Sequence, residues 1–404
     1  MKVLLLNQTF HPDIAATAQY LGRVAVSLAE RGHEVRVVTS RRAYDQPGEQ
    51  FARRESWRGV EIFRVGATGL GKSAKWKRLL DFASFFSSCG LKALTLPRAD
   101  VVVALTSPPL ISVVGAVMAG LKGSRFIYWI MDLNPDAAIA AGWLKDRSVM
   151  ARSLQAISLF SLRRAHKIVV LDSFARDRIV AKGISADKIV VIPPWSQDES
   201  IHFDPAGREQ FRQANGLADK FVVMYSGNHS PCHPLDTLLG AAKALEKEGR
   251  IRFCFVGGGS EFARVQKFAG ENNLQNILCL PYRSSSELAA SLSAADLHVV
   301  VMGNPYVGII HPCKIYNILA VGAPVLYIGP EPSHVTQILH ELQTQHPARS
   351  VRHGDVKGAI AAIRSWPSSE RPVPGAAREP LSQATSQAVL LPQLVGLIEI
   401  EGSK

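Results

Sequence analysis

The sequence predicts an α/β protein built from two doubly wound, Rossmann-like domains with parallel sheets. First, the length of 404 residues is more than one hydrophobic core usually serves. Second, short and wholly apolar runs alternate with stretches of helical spacing, which is typical of parallel sheets covered on both faces. Third, a turn-rich break near residues 193–206 is followed by a restart of the pattern. We therefore place the domains at residues 1–195 and 206–384.

The elements of the first domain follow in order. The opening strand is KVLLLN, and Tyr20, Leu21, Val24 and Leu28 then recur at helical spacing. Gly32 stands where a helix commonly ends in a left-handed residue. The later strands of this domain are predicted at EVRVVTS, DVVVALT, RFIYWIM and KIVVLD.

The second domain repeats the alternation. Its strands are predicted at FVVMYSG, IRFCFVGGG, ILCLP, ADLHVVVM and PVLYIG. The segment SWPSSERPVPGAAREP that follows is rich in proline and is predicted to be a loop. Residues 385–404 are expected to form a last helix that packs back on the first domain.

Composition limits the class of partner. The formal net charge of +12 and the pI of about 9.6 favour polyanionic partners. The basic residues are not gathered into a nucleic-acid reading motif, so no nucleic acid is expected. Five scattered cysteines indicate reduced thiols in the cytoplasm, and no apolar run is long enough to cross a bilayer.

Five motifs carry a resemblance to a known family. In chain order they are RGHEVRVVT, MDLNPDAAIAAG, YSGNHSPCHPLDTLLGAA, FVGGGSE and PCKIYNILAVGAPVL. This ordered set, spread over nearly the whole chain, resembles the GT-B glycosyltransferases of family 4. It is most similar to the subgroup that builds bacterial O-antigen and exopolysaccharide.

The resemblance implies a fold and a reaction. The two domains would face each other across a cleft, with the nucleotide-sugar donor on the second domain and the acceptor on the first. The donor would be a nucleotide diphosphate sugar, with UDP-sugar foremost, and the acceptor a polyprenyl-diphosphate-linked or free saccharide. Transfer would retain the anomeric configuration and need no metal and no other cofactor.

Donor-site candidates lie in three turns of the second domain. They combine glycines, which let backbone approach a ligand, with polar or cationic side chains near helix starts that suit an anion. The set is Gly227, Asn228, His229, His233, Gly257, Gly258, Gly259, Lys314, Tyr316 and Asn317. Alternatively, the glycines only make sharp turns, the polar side chains cap helices, and the lysine is solvated.

Two departures from the family pattern bear on this site. The usual pair of glutamates is absent, since Ile309 and Asn317 stand in their places. His229 and His233 stand where relatives often place fixed positive charges. If either imidazole is charged in the complex, donor binding should weaken as pH rises, whereas it should stay flat if both only shape the turn.

Catalytic and acceptor candidates follow strands of the first domain. Asp132 and Asp136 follow a buried strand, and Asp132 is the candidate for orienting or deprotonating the acceptor hydroxyl. His11, Asp13 and Ser107 are candidates for acceptor binding. The alternative is that both aspartates cap turns and the next helix.

A basic and aromatic segment predicts a contact with anionic lipid. Its cationic members are Lys72, Lys75, Lys77 and Arg78, and they surround Trp76 ahead of an apolar helical stripe. The alternative is an ordinary amphipathic helix on the sheet. Together with the acceptor, this segment suggests a cytoplasmic protein held peripherally at the inner face of the plasma membrane.

Two other functions stay open at this stage. A nucleotide-sugar epimerase of the same architecture would change its donor without any acceptor. A non-enzymatic relative that kept the fold would be consistent with the missing glutamates.

Overall fold

The computed structural model describes residues 1–13, 15–43, 49–66, 68, 75–195, 201–341, 347–366 and 386–404. The chain forms two compact units. The first comprises Met1–Pro193 and Leu390–Lys404, and the second comprises Pro194–Val389. Most of the loop predicted after Ser365 lies outside the described residues.

The first unit contains an eight-stranded sheet with the order β3-β4-β2-β1-β5-β6-β7-β8. Its strands are β1 (Lys2–Leu6), β2 (Glu34–Ser40), β3 (Arg54–Trp57), β4 (Val60–Val65), β5 (Val101–Ala104), β6 (Arg125–Trp129), β7 (Lys167–Val170) and β8 (Ile189–Val191). Neighbouring strands are parallel except β3 and β4, which form an antiparallel hairpin at one edge. The predicted parallel sheet is confirmed. The hairpin of β3 and β4 at one edge and the short strand β8 at the other edge were not predicted.

Helices cover both faces of this sheet. They are α1 (Ala16–Glu30), α2 (Lys75–Thr95), α3 (Ser112–Lys122), α4 (Asp136–Ala140), α5 (Val149–Arg164), α6 (Ser173–Ala181) and, from the chain end, α14 (Gln387–Gly402). Helix α1 connects β1 to β2, whereas α2, α3 and α5 lead in the opposite direction along the sheet. Because such crossovers are right-handed, α1 lies on one face and α2, α3 and α5 lie side by side on the other.

The chain end is fastened to the first unit. Leu394 and Ile398 of α14 are fully buried. Glu399 accepts hydrogen bonds from Arg31 at 2.9 Å and from the His33 ring at 2.8 Å. Apolar burial and these two polar contacts together hold the last helix against the beginning of the chain.

The second unit contains a fully parallel sheet of six strands with the order β11-β10-β9-β12-β13-β14. Its strands are β9 (Phe221–Asn228), β10 (Ile251–Gly258), β11 (Ile277–Leu280), β12 (Leu297–Val301), β13 (Val325–Ile328) and β14 (Ala348–Val351). Its helices are α7 (Pro205–Ala214), α8 (Asp236–Ala244), α9 (Phe262–Glu271), α10 (Ser285–Ser293), α11 (Lys314–Ala320), α12 (His334–Glu341) and α13 (Val356–Arg364). The prediction of two doubly wound parallel-sheet units is therefore confirmed.

Helix α7 is held to its unit by a buried ionic network. Asp296 binds the guanidinium groups of both Arg208 and Arg212, the latter at 3.0 Å. Its carboxylate also accepts a 2.8 Å hydrogen bond from the backbone N–H of Val222 at the start of the sheet. Both arginines are less than a tenth exposed, so the network stabilises the unit only while every member is present.

Candidate functional site

The ends of two neighbouring strands form the glycine turn of the second unit. Strands β9 and β10 pair in register up to their last residues, which sets Gly227 opposite Gly257. Both glycines have positive φ values, 122° and 136°. A Cβ atom on Gly257 would lie 2.1 Å from the carbonyl oxygen of Gly227, which no side chain could tolerate. The abrupt strand-to-helix turn therefore depends on the absence of side chains at its apex.

The amine of Lys314 lies directly against this turn. A Cβ on Gly227 would be 3.4 Å from Lys314 Nζ, and that nitrogen lies 3.6 Å from the centroid of the Tyr225 ring. The amine is buried and has no hydrogen-bond partner among the described residues. Burial lowers the pKa of Lys314 to about 7, against which the nearby Cys232 raises it. A buried amine without a partner beside a side-chain-free turn is suited to an anionic ligand.

The two histidines of the turn are held by backbone carbonyls. Nδ1 of His229 donates to Gly227 O at 3.0 Å, and Nδ1 of His233 donates to Val301 O at 2.7 Å. Burial, followed by the charge of Lys314, lowers the pKa of His229 to about 4 and that of His233 to about 3. Both rings are therefore neutral near pH 7, and the structure favours the alternative in which they shape the turn.

The remaining donor candidates lie either in the glycine turn or on helix α11. Asn228 is exposed at the end of β9, and Gly258 O accepts a 2.7 Å hydrogen bond from the backbone of His229. Gly259 also has a positive φ and lies against His229 O. These residues belong to the same turn as Gly227.

The candidates on helix α11 do not all face the glycine turn. Tyr316 is buried, and its hydroxyl lies 2.9 Å from Nε2 of His311. Asn317 is partly exposed on the same helix, one turn after Lys314. The structure thus brings Lys314 to the glycine turn and directs the Tyr316 hydroxyl to His311, and the roles of Tyr316 and Asn317 stay predictions.

In the first unit, one buried amide joins two loops at the carboxyl ends of strands. Asn7, directly after β1, donates from Nδ2 to Thr9 O at 2.8 Å and accepts at Oδ1 from the Ser107 backbone N–H at 3.2 Å. Ser107 therefore lies beside the loop that carries His11. Asn7 was not predicted as a site residue, although an amide that directly follows an apolar strand is a signal visible in the sequence.

The His11 loop is held by aromatic stacking. The His11 ring stacks on Trp57, with centroids 4.1 Å apart and planes 9° apart. Burial is the largest cause of a lowered pKa at His11. Asp13 is partly exposed and closes a turn through its backbone N–H, which donates to Phe10 O at 2.9 Å. Trp57 belongs to the edge hairpin, so that hairpin supports the predicted acceptor loop.

The two candidate catalytic aspartates have different surroundings. Asp132 follows β6, and loss of solvation raises its pKa to about 6. Asp136 begins α4 and is paired with Lys182, whose amine lies 2.8 Å and 3.1 Å from its two oxygens. A carboxylate with a raised pKa can accept a proton near neutral pH, so Asp132 is better suited than Asp136 to act as a proton acceptor.

The predicted lipid-binding segment is largely outside the described residues. Lys72 is not described, and the backbone of α2 is described from Lys75, with its side chains described from Leu80. In the described parts of the chain, no helix combines the length and apolarity needed to span a bilayer.

Two family models match the chain in succession. Residues 16–195 match the model described as "Glycosyl transferase 4-like domain". Residues 207–339 match the model described as "Glycosyl transferases group 1". The first match ends close to the boundary between the two units, the second begins at residue 207, and together they cover well over half of the chain.

Individual relatives agree with these matches. The chain is 29% identical over 338 residues to a putative colanic acid biosynthesis glycosyl transferase of Escherichia coli, covering 80% of this chain and 82% of the relative. Its fold is similar to a sucrose-phosphate synthase of Thermosynechococcus elongatus, with a TM-score of 0.78, 16% identity and coverage of 99% and 98%. It is also similar to Anabaena Alr3699/HepE, solved with UDP and glucose, with a TM-score of 0.72, 15% identity and 99% coverage of both chains. With both family models matched in order on two doubly wound units, the chain is a glycosyltransferase of family 4 with the GT-B fold.

Proposed function

We propose that this glycosyltransferase moves a sugar from a UDP-sugar to a polyprenyl-diphosphate-linked or free saccharide in the synthesis of a bacterial surface polysaccharide. Transfer proceeds with retention and without a metal ion or other cofactor, at the cytoplasmic face of an anionic membrane. The Escherichia coli relative named for colanic acid biosynthesis supports the class of product. The Anabaena structures with UDP and with UDP-glucose support the class of donor.

The observation that carries the proposal is the buried Lys314 amine beside the glycine turn. A diphosphate placed there would give the ammonium the partner that it lacks among the described residues. Helix α8 begins at Asp236 without a side-chain cap, so its first backbone N–H groups add donors at the end of the same turn. These groups would neutralise the charge that develops on the leaving diphosphate.

Asp132 has the complementary role in the first unit. Its raised pKa allows the carboxylate to orient the acceptor hydroxyl and to share its proton near neutral pH. In a retaining transfer of this type the leaving phosphate can itself take the proton, and in that case Asp132 would only position the hydroxyl. Asp136, neutralised by Lys182, would support the loop that carries Asp132.

Calorimetry with UDP tests the proposal. Lys314→Met should weaken UDP binding by about 10- to 150-fold, because a charge-assisted hydrogen bond contributes about 1.5–3 kcal/mol. Lys267→Met is the matched control, since Lys267 is an exposed lysine of the same unit. Equal UDP affinity of wild type and Lys314→Met would remove the diphosphate assignment. Parallel titrations with GDP and ADP test the choice of base, and an epimer formed from UDP-sugar without acceptor would contradict transfer.

A further inference from the structure

A basic cavity lies at the edge of the first unit where its strands begin. It has a volume of about 500 Å³ and is bounded by the starts of β6 and β7, the last turns of α3 and α5, and the end of α14. The predicted acceptor loops follow the carboxyl ends of β1, β5 and β6, at the opposite edge of the sheet. The cavity is therefore separate from the candidate catalytic residues of this unit.

The walls of the cavity carry a large excess of positive charge. Their cationic side chains are Arg125, Arg163, Arg164, Lys167, Lys188 and Lys404. The acidic ones are Asp187 and Glu401, and Glu401 is already bound by Lys404 at 2.7 Å. In the described part of the chain, no carboxylate pairs with the three arginines. The charge of the cavity is therefore suited to binding an anion.

Basic residues at the ends of helices can also serve the helices themselves. Lys188 has that role, since its amine donates to the carbonyl oxygens of Arg163 and Ala165 at 3.2 Å and 3.1 Å. The guanidinium groups of Arg163 and Arg164 make no such bond within the described residues and are exposed. Their charge is available to a ligand.

Exposed apolar side chains lie on the two helices that border the cavity. Leu121 of α3 is 67% exposed and Phe160 of α5 is 43% exposed, and Val117 and Ile157 are also exposed on these helices. The two helices approach closely there, because a Cβ on Gly120 would be 2.9 Å from a guanidinium nitrogen of Arg164. Leu121 directly follows Gly120, and Phe160 lies one helical turn before Arg163 and Arg164. Exposed apolar side chains on the same helices as unpaired arginines are the composition expected at a membrane interface.

We propose that this region is a docking site for an anionic phospholipid. The cavity holds the phosphate headgroup, and the exposed side chains of α3 and α5 enter the acyl-chain region beside it. This inference builds on the membrane association proposed above and names the surface that makes it. Nucleic acid would match the charge but would leave the exposed leucine and phenylalanine in water, so a lipid fits both features.

Vesicle flotation tests the site with two variants that remove its two halves. Arg163→Ala/Arg164→Ala removes headgroup contacts, and Leu121→Ser/Phe160→Ser removes acyl-chain contacts. Arg23→Ala/Arg53→Ala is the control, because both residues are exposed in the same unit and the net charge changes equally. Vesicles contain phosphatidylcholine alone or with phosphatidylglycerol, and thermal melting checks that each variant is folded.

Wild type and control should float with phosphatidylglycerol vesicles and not with phosphatidylcholine alone. The arginine variant should bind these vesicles about 30-fold more weakly, since each of its two basic residues contributes ~1 kcal/mol near an anionic surface. The leucine and phenylalanine variant should bind at least about tenfold more weakly, because two apolar side chains no longer enter the acyl-chain region. Unchanged flotation of the site variants would overturn the proposal. The proposal would also be overturned if the arginine variant lost binding of inorganic phosphate but floated as wild type does, because the cavity would then bind a free phosphate and not a phospholipid. UDP calorimetry on the same variants separates the proposals, because retained UDP binding with unaltered flotation refutes the docking site alone.

Discussion

Replacing Lys314 by methionine should make the protein more stable while it removes the proposed partner of the diphosphate. The substitution keeps an unbranched side chain of similar reach and deletes the charge. The amine is buried over the Tyr225 ring with no hydrogen-bond partner among the described residues, so its charge is costly in the free protein. This opposition of stability and binding is expected where a site is arranged for a ligand.

The magnitude follows from the pKa of Lys314. Burial lowers it from 10.5 to about 7. In the unfolded chain the amine keeps its ordinary pKa, so at pH 7 the shift costs the folded state on the order of 4 kcal/mol. Relief of this cost should raise the melting temperature of the second unit by about 10 °C, at roughly 2–4 °C per kcal/mol for a unit of this size.

The sign of the pH dependence provides a second check. Between pH 7 and 10.5 the unfolded chain holds a proton on this lysine that the folded protein has released. The stability of wild type relative to Lys314→Met should therefore rise with pH across that window, and fall as pH decreases towards 7.

Calorimetric melting of wild type, Lys314→Met and the exposed control Lys267→Met measures both effects. The control should stay within about 0.5 kcal/mol of wild type, as is usual for exposed positions. A Lys314→Met protein that melts lower than wild type, with no pH-dependent difference, would show that the amine is solvated or paired and would refute the reasoning.

Four further outcomes are expected. Affinity for UDP-glucose, whose phosphates do not titrate in this range, should fall by up to about tenfold per pH unit above about 7, as Lys314 loses its proton, and a flat titration would contradict this. Gly257→Ala should abolish UDP binding and destabilise the second unit, because its Cβ would lie 2.1 Å from a backbone oxygen, whereas Gly270→Ala, with open space around it, should be neutral or stabilising. Asp132→Asn should lower the transfer rate by about 10²–10⁴-fold and remove a decline of the wild-type rate below about pH 6, and an unchanged pH profile would exclude Asp132 from proton transfer. Asp296→Asn should destabilise the second unit by about 3–5 kcal/mol in denaturant unfolding, since two buried arginines lose the negative charge that balances them, and a loss below about 1 kcal/mol would show that the network is solvated.

The strands that were not predicted from the sequence are β3, β4, β8 and β14, and all of them lie at a sheet edge or next to one. Strand β3 is short and mostly exposed, and it pairs with its neighbour at the sheet edge. It therefore lacks the wholly apolar run by which the central strands were recognised. Its Trp57 stacks on His11, so the missed hairpin also holds a predicted site residue.

The candidate site was likewise only partly predictable from the sequence. Lys314 and the glycines of two strand ends could be named as candidates from the sequence. A lysine at a helix start and glycines at a strand end are local features. The protonation state of His229 and His233 could not be predicted from the sequence. Their neutrality depends on burial and on hydrogen bonds to carbonyl oxygens, one of them Val301 O on another strand.

The sequence by itself determined the two parallel sheets, the break between them and the turn YSGNHSPCHPLD. These features depend on alternation and turn chemistry within a few residues, which can be read along the chain. Only the tertiary structure decided that the Lys314 amine lies buried against Gly227, and that arginines of α5 meet the start of β6 in a basic cavity. Burial and charge at a site are set by segments distant in sequence, and packing alone brings those segments together.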